Sequence, residues 1–156
     1  MTKDVSKMCR EIDTVTVKGS IKPMRLFTID VNEDRMEEVH DRFIKLPNKD
    51  KKKILDREKY VVWHALKNRS MSTVSLIKND GDFIELRSGY SKVFHKKFNE
   101  GYAAYKSGNW KVAKEIFGAC VKEKNDGPSK TLMSYMGRFN FKAPKDWKGY
   151  RALTEK

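Results

Sequence analysis

Phe98-Asn99-Glu100-Gly101-Tyr102-Ala103-Ala104-Tyr105-Lys106-Ser107-Gly108-Asn109-Trp110-Lys111-Val112-Ala113-Lys114-Glu115-Ile116-Phe117-Gly118-Ala119-Cys120 is the stretch that decides the fold. Small and large residues alternate in it in a fixed order: Gly101, Ala104, Gly108, Trp110, Ala113, Phe117, Cys120. Small side chains at Gly101 and Ala113 let two antiparallel helices approach closely, and Trp110 and Phe117 fill the groove between them. Lys106-Ser107-Gly108-Asn109 is the turn, with Gly108 as the helix stop. A single pair of this kind cannot bury its own hydrophobic face, so it needs neighbours.

Neighbours are legible on both sides. Upstream, Phe83, Leu86, Tyr90, Phe94, Phe98, Gly101 and Tyr105 recur every three or four residues, an amphipathic stripe. Asn79-Asp80-Gly81-Asp82 opens it as a turn, and Ser88-Gly89 leaves open whether it is one helix or two. Downstream, Asp126-Gly127-Pro128-Ser129 starts another helix, with Pro128 in the first turn. That helix carries Leu132, Met133, Tyr135, Met136 and Phe139. The remainder, from Phe141 through Trp147 and Tyr150 to Arg151, is too rich in breakers for a helix. Its aromatic residues are expected to lie back on the bundle, the other reading being a linear anchor for a second protein.

The N-terminal part has a different period. Val15 and Val17 alternate with Thr14 and Thr16, and Phe27 and Ile29 with Leu26 and Thr28, which predicts two strands around a Lys18-Gly19-Ser20 turn. Two strands alone are marginal, so this hairpin needs a sheet to join, expected in a longer parent or in a partner. From Asn32 to Leu46, Met36, Val39, Phe43 and Leu46 predict a helix capped by Asn32 and ended by Pro47. The most basic stretch follows, with Lys49, Lys51, Lys52 and Lys53 running into Ile54, Tyr60, Val61, Val62, Trp63 and Leu66. The preferred reading is a solvated helix whose Lys stems flank a buried Trp63. The other is an electrostatic contact strip beside an aromatic anchor.

The 156 residues suffice for one domain or two small ones, and 38% hydrophobic with 35% charged is polar but globular. A net charge of +13 favours an acidic partner, whether nucleic acid, anionic lipid or an acidic protein surface. Dispersal of the Lys residues among Asp and Glu also fits plain solvated helix faces. Cys9 and Cys120 are the only cysteines, too few and too far apart for a disulfide framework or a zinc site. No signal-peptide core or stretch of ~20 apolar residues is present, so a cytoplasmic or cytoskeleton-associated protein is expected. His40, His64 and His95 have no metal-ligand spacing, and there is no Gly-rich phosphate loop or nucleophile motif. No metal or cofactor is expected, and the chain reads as non-enzymatic on its own.

Two resemblances extend this. Phe98 to Asp126 resembles one tetratricopeptide unit. The order of parts resembles the C-terminal region of class III adenylate/guanylate cyclase family proteins of single-celled eukaryotes. Cys9 to Asp30 is similar to the last hairpin of their catalytic domain, and the Phe98–Phe117, Asp126–Leu132 and Trp147–Tyr150 segments to their helical tail. The resemblance implies that Lys18 matches the family lysine reaching the nucleotide phosphates. The metal-binding aspartates, the base-selecting residues and the Asn/Arg pair of the family have no counterpart. What is left is the end of a catalytic domain without its chemistry, either the tail of a longer cyclase or a separate small subunit.

The expected fold is mainly α with a small N-terminal β-hairpin, built on a tetratricopeptide-like antiparallel helix pair with flanking helices. The expected parts are a hairpin over 1–31, a charged helical linker over 32–80 and the helical module with its aromatic tail over 81–156. The expected function is a non-catalytic assembly or regulatory module acting as a protein–protein scaffold, with a basic nucleic-acid-binding accessory protein as the second reading. Candidate partner-binding residues are Lys49, Lys51, Lys52, Lys53, Trp63, Trp110, Trp147 and Tyr150, and Lys18 is a phosphate contact by resemblance.

Overall fold

A computed structural model of the chain describes residues 6, 8–20, 22–32 and 46–153. The fold is mainly α with a small N-terminal hairpin. Two strands, β1 (Arg10–Val17) and β2 (Met24–Thr28), lead into six helices among the described residues. These are α1 (Asn48–Lys67), α2 (Thr73–Asn79), α3 (Gly81–Arg87), α4 (Lys92–Lys106), α5 (Trp110–Lys124) and α6 (Gly127–Gly137), and a short strand β3 (Arg151–Leu153) closes the series. The expected helix from Asn32 to Leu46 falls largely on 33–45, outside the described residues.

The chain divides into two compact units, one centred on Asp30–Tyr90 and the other made of Ser6–Ile29 with Ser91–Lys156. This differs from the three consecutive parts expected over 1–31, 32–80 and 81–156. The hairpin is no separate block, because β1 is tied to the C-terminal helices and to β3. Residues 81–90 belong with the first unit, because the Ser88-Gly89 break ends α3 and Ser91 caps a new helix, its hydroxyl accepting from Phe94 N at 3.1 Å.

In the second unit β1 and β2 pair antiparallel, from Arg10↔Thr28 to Val15↔Met24, with a bulge between Glu11 and Asp13. The extra residue shifts the inward phase of the strand. Arg10, Asp13 and Val15 are buried as a result. Gly19 turns the chain at φ +89°. The hairpin's need for a further strand is met inside the chain, since β3 runs parallel to β1 with Val15↔Arg151 and Val17↔Leu153.

Helices α4 and α5 are antiparallel, as three pairs along their length record. Lys97 Nζ meets Glu123 at 2.6 Å, the Phe98 and Phe117 rings are 5.4 Å apart, and those of Tyr105 and Trp110 are 6.0 Å apart. A Cβ on Gly101 would lie 2.9 Å from Ile116 Cγ2 and 3.1 Å from Phe117 Cε1. The glycine is therefore what lets the helices close. Gly108 stops α4 at φ +83°, and Asp126 caps α6 by accepting from Ser129 N at 2.9 Å. Phe94, Phe98, Ala113, Phe117, Cys120, Leu132 and Met136 are buried between these helices.

The tail does lie back on the bundle. Trp147 Nε1 donates to the carbonyl oxygens of Tyr105 (3.1 Å) and Lys106 (3.2 Å). Gly149, at φ +82°, passes so close to the Lys106 carbonyl that a Cβ would sit 3.1 Å from its oxygen.

In the first unit, Ser72 and Asp80 cap α2 and α3 through their side chains, accepting from Ser75 N at 3.0 Å and Phe83 N at 2.8 Å. Neither α1 nor α2 has a buried residue. Among the described residues no helix is long and apolar enough to cross a membrane.

The two helix glycines give opposite expectations. Gly101→Val should overpack the α4–α5 contact at a cost of about 1–3 kcal/mol. Gly118→Ala, where an added Cβ meets nothing within 4 Å, should stabilise by about 0.5–1 kcal/mol through helix propensity. Thermal melts of both variants followed by circular dichroism check this, and a wild-type melt for Gly101→Val would remove the close-packing account.

Candidate functional site

Helix α1 stands out because of what it does not bury. Its 20 residues extend about 30 Å at 1.5 Å per residue. Ile54, Leu55, Val61, Val62, Ala65 and Leu66 recur at three- and four-residue spacing and so form one stripe. In a finished core such a stripe would be covered. Here Ile54 and Leu55 are more than a third exposed and Val61 is 58% exposed. Beside the stripe, Arg57, Glu58, Val61, Val62 and Asp80 line a depression of about 410 Å³.

Charge surrounds this surface. The helix carries seven Lys or Arg against three Asp or Glu. Lys49, Lys52 and Lys53 are exposed and Lys51 is half-buried. Trp63, expected to be buried, is 54% exposed, and Tyr60 is 62% exposed. Both lie off the apolar stripe, on the flanks of the helix, where the Lys67 ammonium sits 4.7 Å from the Trp63 ring centre and His64 packs against both rings. The structure thus brings Lys49, Lys51, Lys52, Lys53 and Trp63 onto one helix, with the aromatic residue available.

The other sequence candidates lie elsewhere. Trp110 is 1% exposed and cannot meet a partner in this fold. Its ring packs among Tyr105, Tyr135, Phe139 and Trp147, and its Nε1 donates to the Tyr105 carbonyl at 3.1 Å. Trp147 and Tyr150 are half-buried in the tail. Lys18 is exposed at the tip of the hairpin.

A polar layer that the sequence did not reveal joins β1 to the helices. Arg10 Nη2 and Asp126 Oδ1 are 2.7 Å apart and both side chains are almost fully buried. The guanidinium carbon stands 4.2 Å from the centre of the Phe98 ring. Asp13 Oδ2 accepts from Arg151 Nε at 2.6 Å. The Tyr102 hydroxyl lies 2.9 Å from Thr14 Oγ1 and donates to Glu11 Oε1 at 3.2 Å. Next to this layer, Cys9, Glu11, His95, Asn99, Tyr102 and Lys106 line a cavity of about 420 Å³.

Burial sets the electrostatics of the layer. Burial raises the Asp13 carboxyl above its ordinary value even though Arg151 and the Thr14 amide pull it down. Burial also drives the hydroxyls of Tyr102 and Tyr105 upward, reinforced by neighbouring carboxylates, which keeps both neutral. The Cys120 thiol is pushed up by burial as well, which makes it inert. Among the described residues no three His, Cys, Asp or Glu side chains are grouped to hold a metal ion.

Comparison of the chain with models of protein families, with curated proteins and with solved structures finds no match in any of the three. The chain's own geometry therefore carries the functional reading.

Two expectations follow from the polar layer. Arg10→Ala leaves a buried carboxylate without its counter-charge and should cost about 3–5 kcal/mol. Arg10→Met combined with Asp126→Asn, which keeps an oxygen for the α6 cap, should cost less than the single change. Urea denaturation of the three proteins decides it. Asp13 binds its proton more tightly folded than unfolded, so its contribution to stability falls as pH rises through the range above 3.8. The stability of wild type relative to Asp13→Asn should accordingly grow as pH is lowered from 7 toward 4. A difference that shrinks over that interval would contradict the assignment.

Proposed function

We propose that this chain is a non-catalytic assembly or regulatory module, related by its motifs to the C-terminal part of a class III nucleotide cyclase, and that it works by docking other proteins. The observation that carries this reading is α1, a 20-residue helix with no buried residue whose apolar stripe is exposed at Ile54, Leu55 and Val61 and half-buried at Val62, Ala65 and Leu66. An amphipathic helix with one open apolar face is suited to lie in a partner's hydrophobic groove, its anchors three and four residues apart. The lysine excess selects a groove with an acidic rim and speeds the encounter. Seated in such a groove, Val61 and Leu55 supply the apolar anchors and Lys49, Lys52 and Lys53 the electrostatic register.

Nucleic-acid binding is the second reading, favoured by the exposed Tyr60 and Trp63 next to the lysine row, since aromatic faces stack on unpaired bases. The three acidic residues interleaved in α1 oppose it, because a phosphate backbone is repelled by each.

The test is affinity capture with the full chain, followed by quantitative binding to the protein recovered. Val61→Asp removes an anchor, and Lys52→Glu with Lys53→Glu reverses the rim charge. Both should leave the melting curve unchanged, as neither position is buried, and each should weaken binding tenfold or more. A partner retained equally by wild type and by both variants would sink the proposal. Binding of a labelled single strand that falls steeply between 50 and 200 mM salt, roughly as expected for several phosphate contacts, would favour the second reading.

A further inference from the structure

On the second unit, α5 and α6 run antiparallel, with Trp110 packed against Tyr135 and Phe139 at one end and Cys120 near Ser129 at the other. The face of α5 opposite Ala113, Phe117 and Cys120 is turned away from α4. There Gly118 and Ala119 of α5 and Met133 of α6 line a groove of about 480 Å³. In a stack of helix pairs this is where the second helix of the next pair would pack against α5 and α6. Among the described residues none takes that place, because after α6 the chain turns back as the Trp147 tail.

Gly118 sharpens the point. A glycine inside a helix is unfavourable and needs a packing reason. Gly101 has one in Ile116 and Phe117, whereas a Cβ on Gly118 would meet nothing within 4 Å. The reason for Gly118 lies outside the described residues if another backbone approaches closely there. The rim fixes the sign of that visitor. Lys111, Lys114 and Lys122 border the groove against the single carboxylate of Glu115. Among the described residues none of the three ammonium groups has a carboxylate partner, and Lys114 is turned over the Phe141 ring at 4.2 Å.

We infer that this groove receives an amphipathic helix of a partner protein, with small or flat apolar residues facing Gly118 and Ala119 and Asp or Glu on its flanks. A second copy of this chain is the wrong occupant on charge, since each copy carries +13. Helix α1 is wrong for the same reason, with seven basic residues against three acidic. The inference is independent of the docking role of α1 and stands or falls by itself.

The experiment is a methyl- and amide-detected NMR titration of the full chain with two synthetic 18-residue amphipathic helical peptides. They share one Ala- and Leu-lined face, one bearing Glu on its flanks and the other Lys. The expected result is saturable shifts of the Gly118 amide and the Ala119 and Met133 methyls with the Glu peptide, at least tenfold weaker with the Lys peptide. Gly118→Gln places a bulky side chain in the groove while improving helix propensity, so the protein stays folded and the affinity should fall tenfold or more. Lys111→Glu with Lys122→Glu should do the same, whereas Val61→Asp in α1 should change nothing. Equal response to the two peptides, shifts that map away from the groove, or affinity untouched by Gly118→Gln would each overturn the inference. So would self-association in sedimentation that Gly118→Gln abolishes, which would make the occupant a second copy.

Discussion

The buried pair between Arg10 and Asp126 is the constraint on which the second unit depends. It joins the first residue of β1 to the residue that caps α6, 116 positions later. Each partner has a second task that holds it in place. The Arg10 guanidinium lies against Phe98, and the Asp126 carboxylate accepts from the Ser129 amide. Buried ion pairs are weak sources of net stability, because desolvation offsets much of the attraction. Their strength is in penalising alternatives: a hairpin docked one residue out of register would leave two charges buried and unmatched. The bulge after Glu11 belongs to the same device, since it is what turns both Arg10 and Asp13 inward.

A second organising element is aromatic. Tyr105, Trp110, Tyr135 and Trp147 meet with ring centres 5.0–6.5 Å apart, mostly edge to face, a geometry favoured by the ring quadrupoles. The Tyr105 carbonyl accepts from both indole N–H groups, which satisfies polar atoms that would otherwise be buried at a cost. One end of α4 therefore serves as the seat for the next helix and for the tail together. The Arg151–Asp13 contact and β3 continue the tail onto the sheet.

Local chemistry was legible in the sequence, and long-range pairing was not. Gly101, Ala113, Trp110 and Phe117 declared a helix pair because close approach and groove filling impose residue size at fixed spacing. Asp126-Gly127-Pro128 declared a helix start, and Lys18-Gly19-Ser20 a turn, for equally local reasons. The bulge escaped notice, since one extra residue inverts which side chains face inward without altering the alternation around it. β3 is three residues long and follows a breaker-rich stretch, so nothing local marks it; its partner lies at the other end of the chain. In α1 the lysine row was recognised, yet Trp63 was expected inside. Exposure of that helix depends on whether anything is packed against it, which no property of the helix itself records. Trp110 shows the reverse: an aromatic residue beside a turn resembles an anchor until four other rings close around it.

The parallel pairing of β1 with β3 sets the order in which the molecule can be made. The second unit starts at Ser6, is interrupted after Ile29 by some sixty residues of the first unit, and resumes at Ser91. Asp13 meets its partner Arg151 only 138 residues later. At synthesis rates of about 5–20 residues per second, the hairpin waits on the order of ten seconds or more at the ribosome before its sheet and its counter-charges exist. Most of the first unit, Asp30–Tyr90, emerges during that interval. For a nascent chain, β1 can pair with β2 early, but its other edge and the carboxylate of Asp13 stay without β3 and Arg151 until far more of the chain has been made.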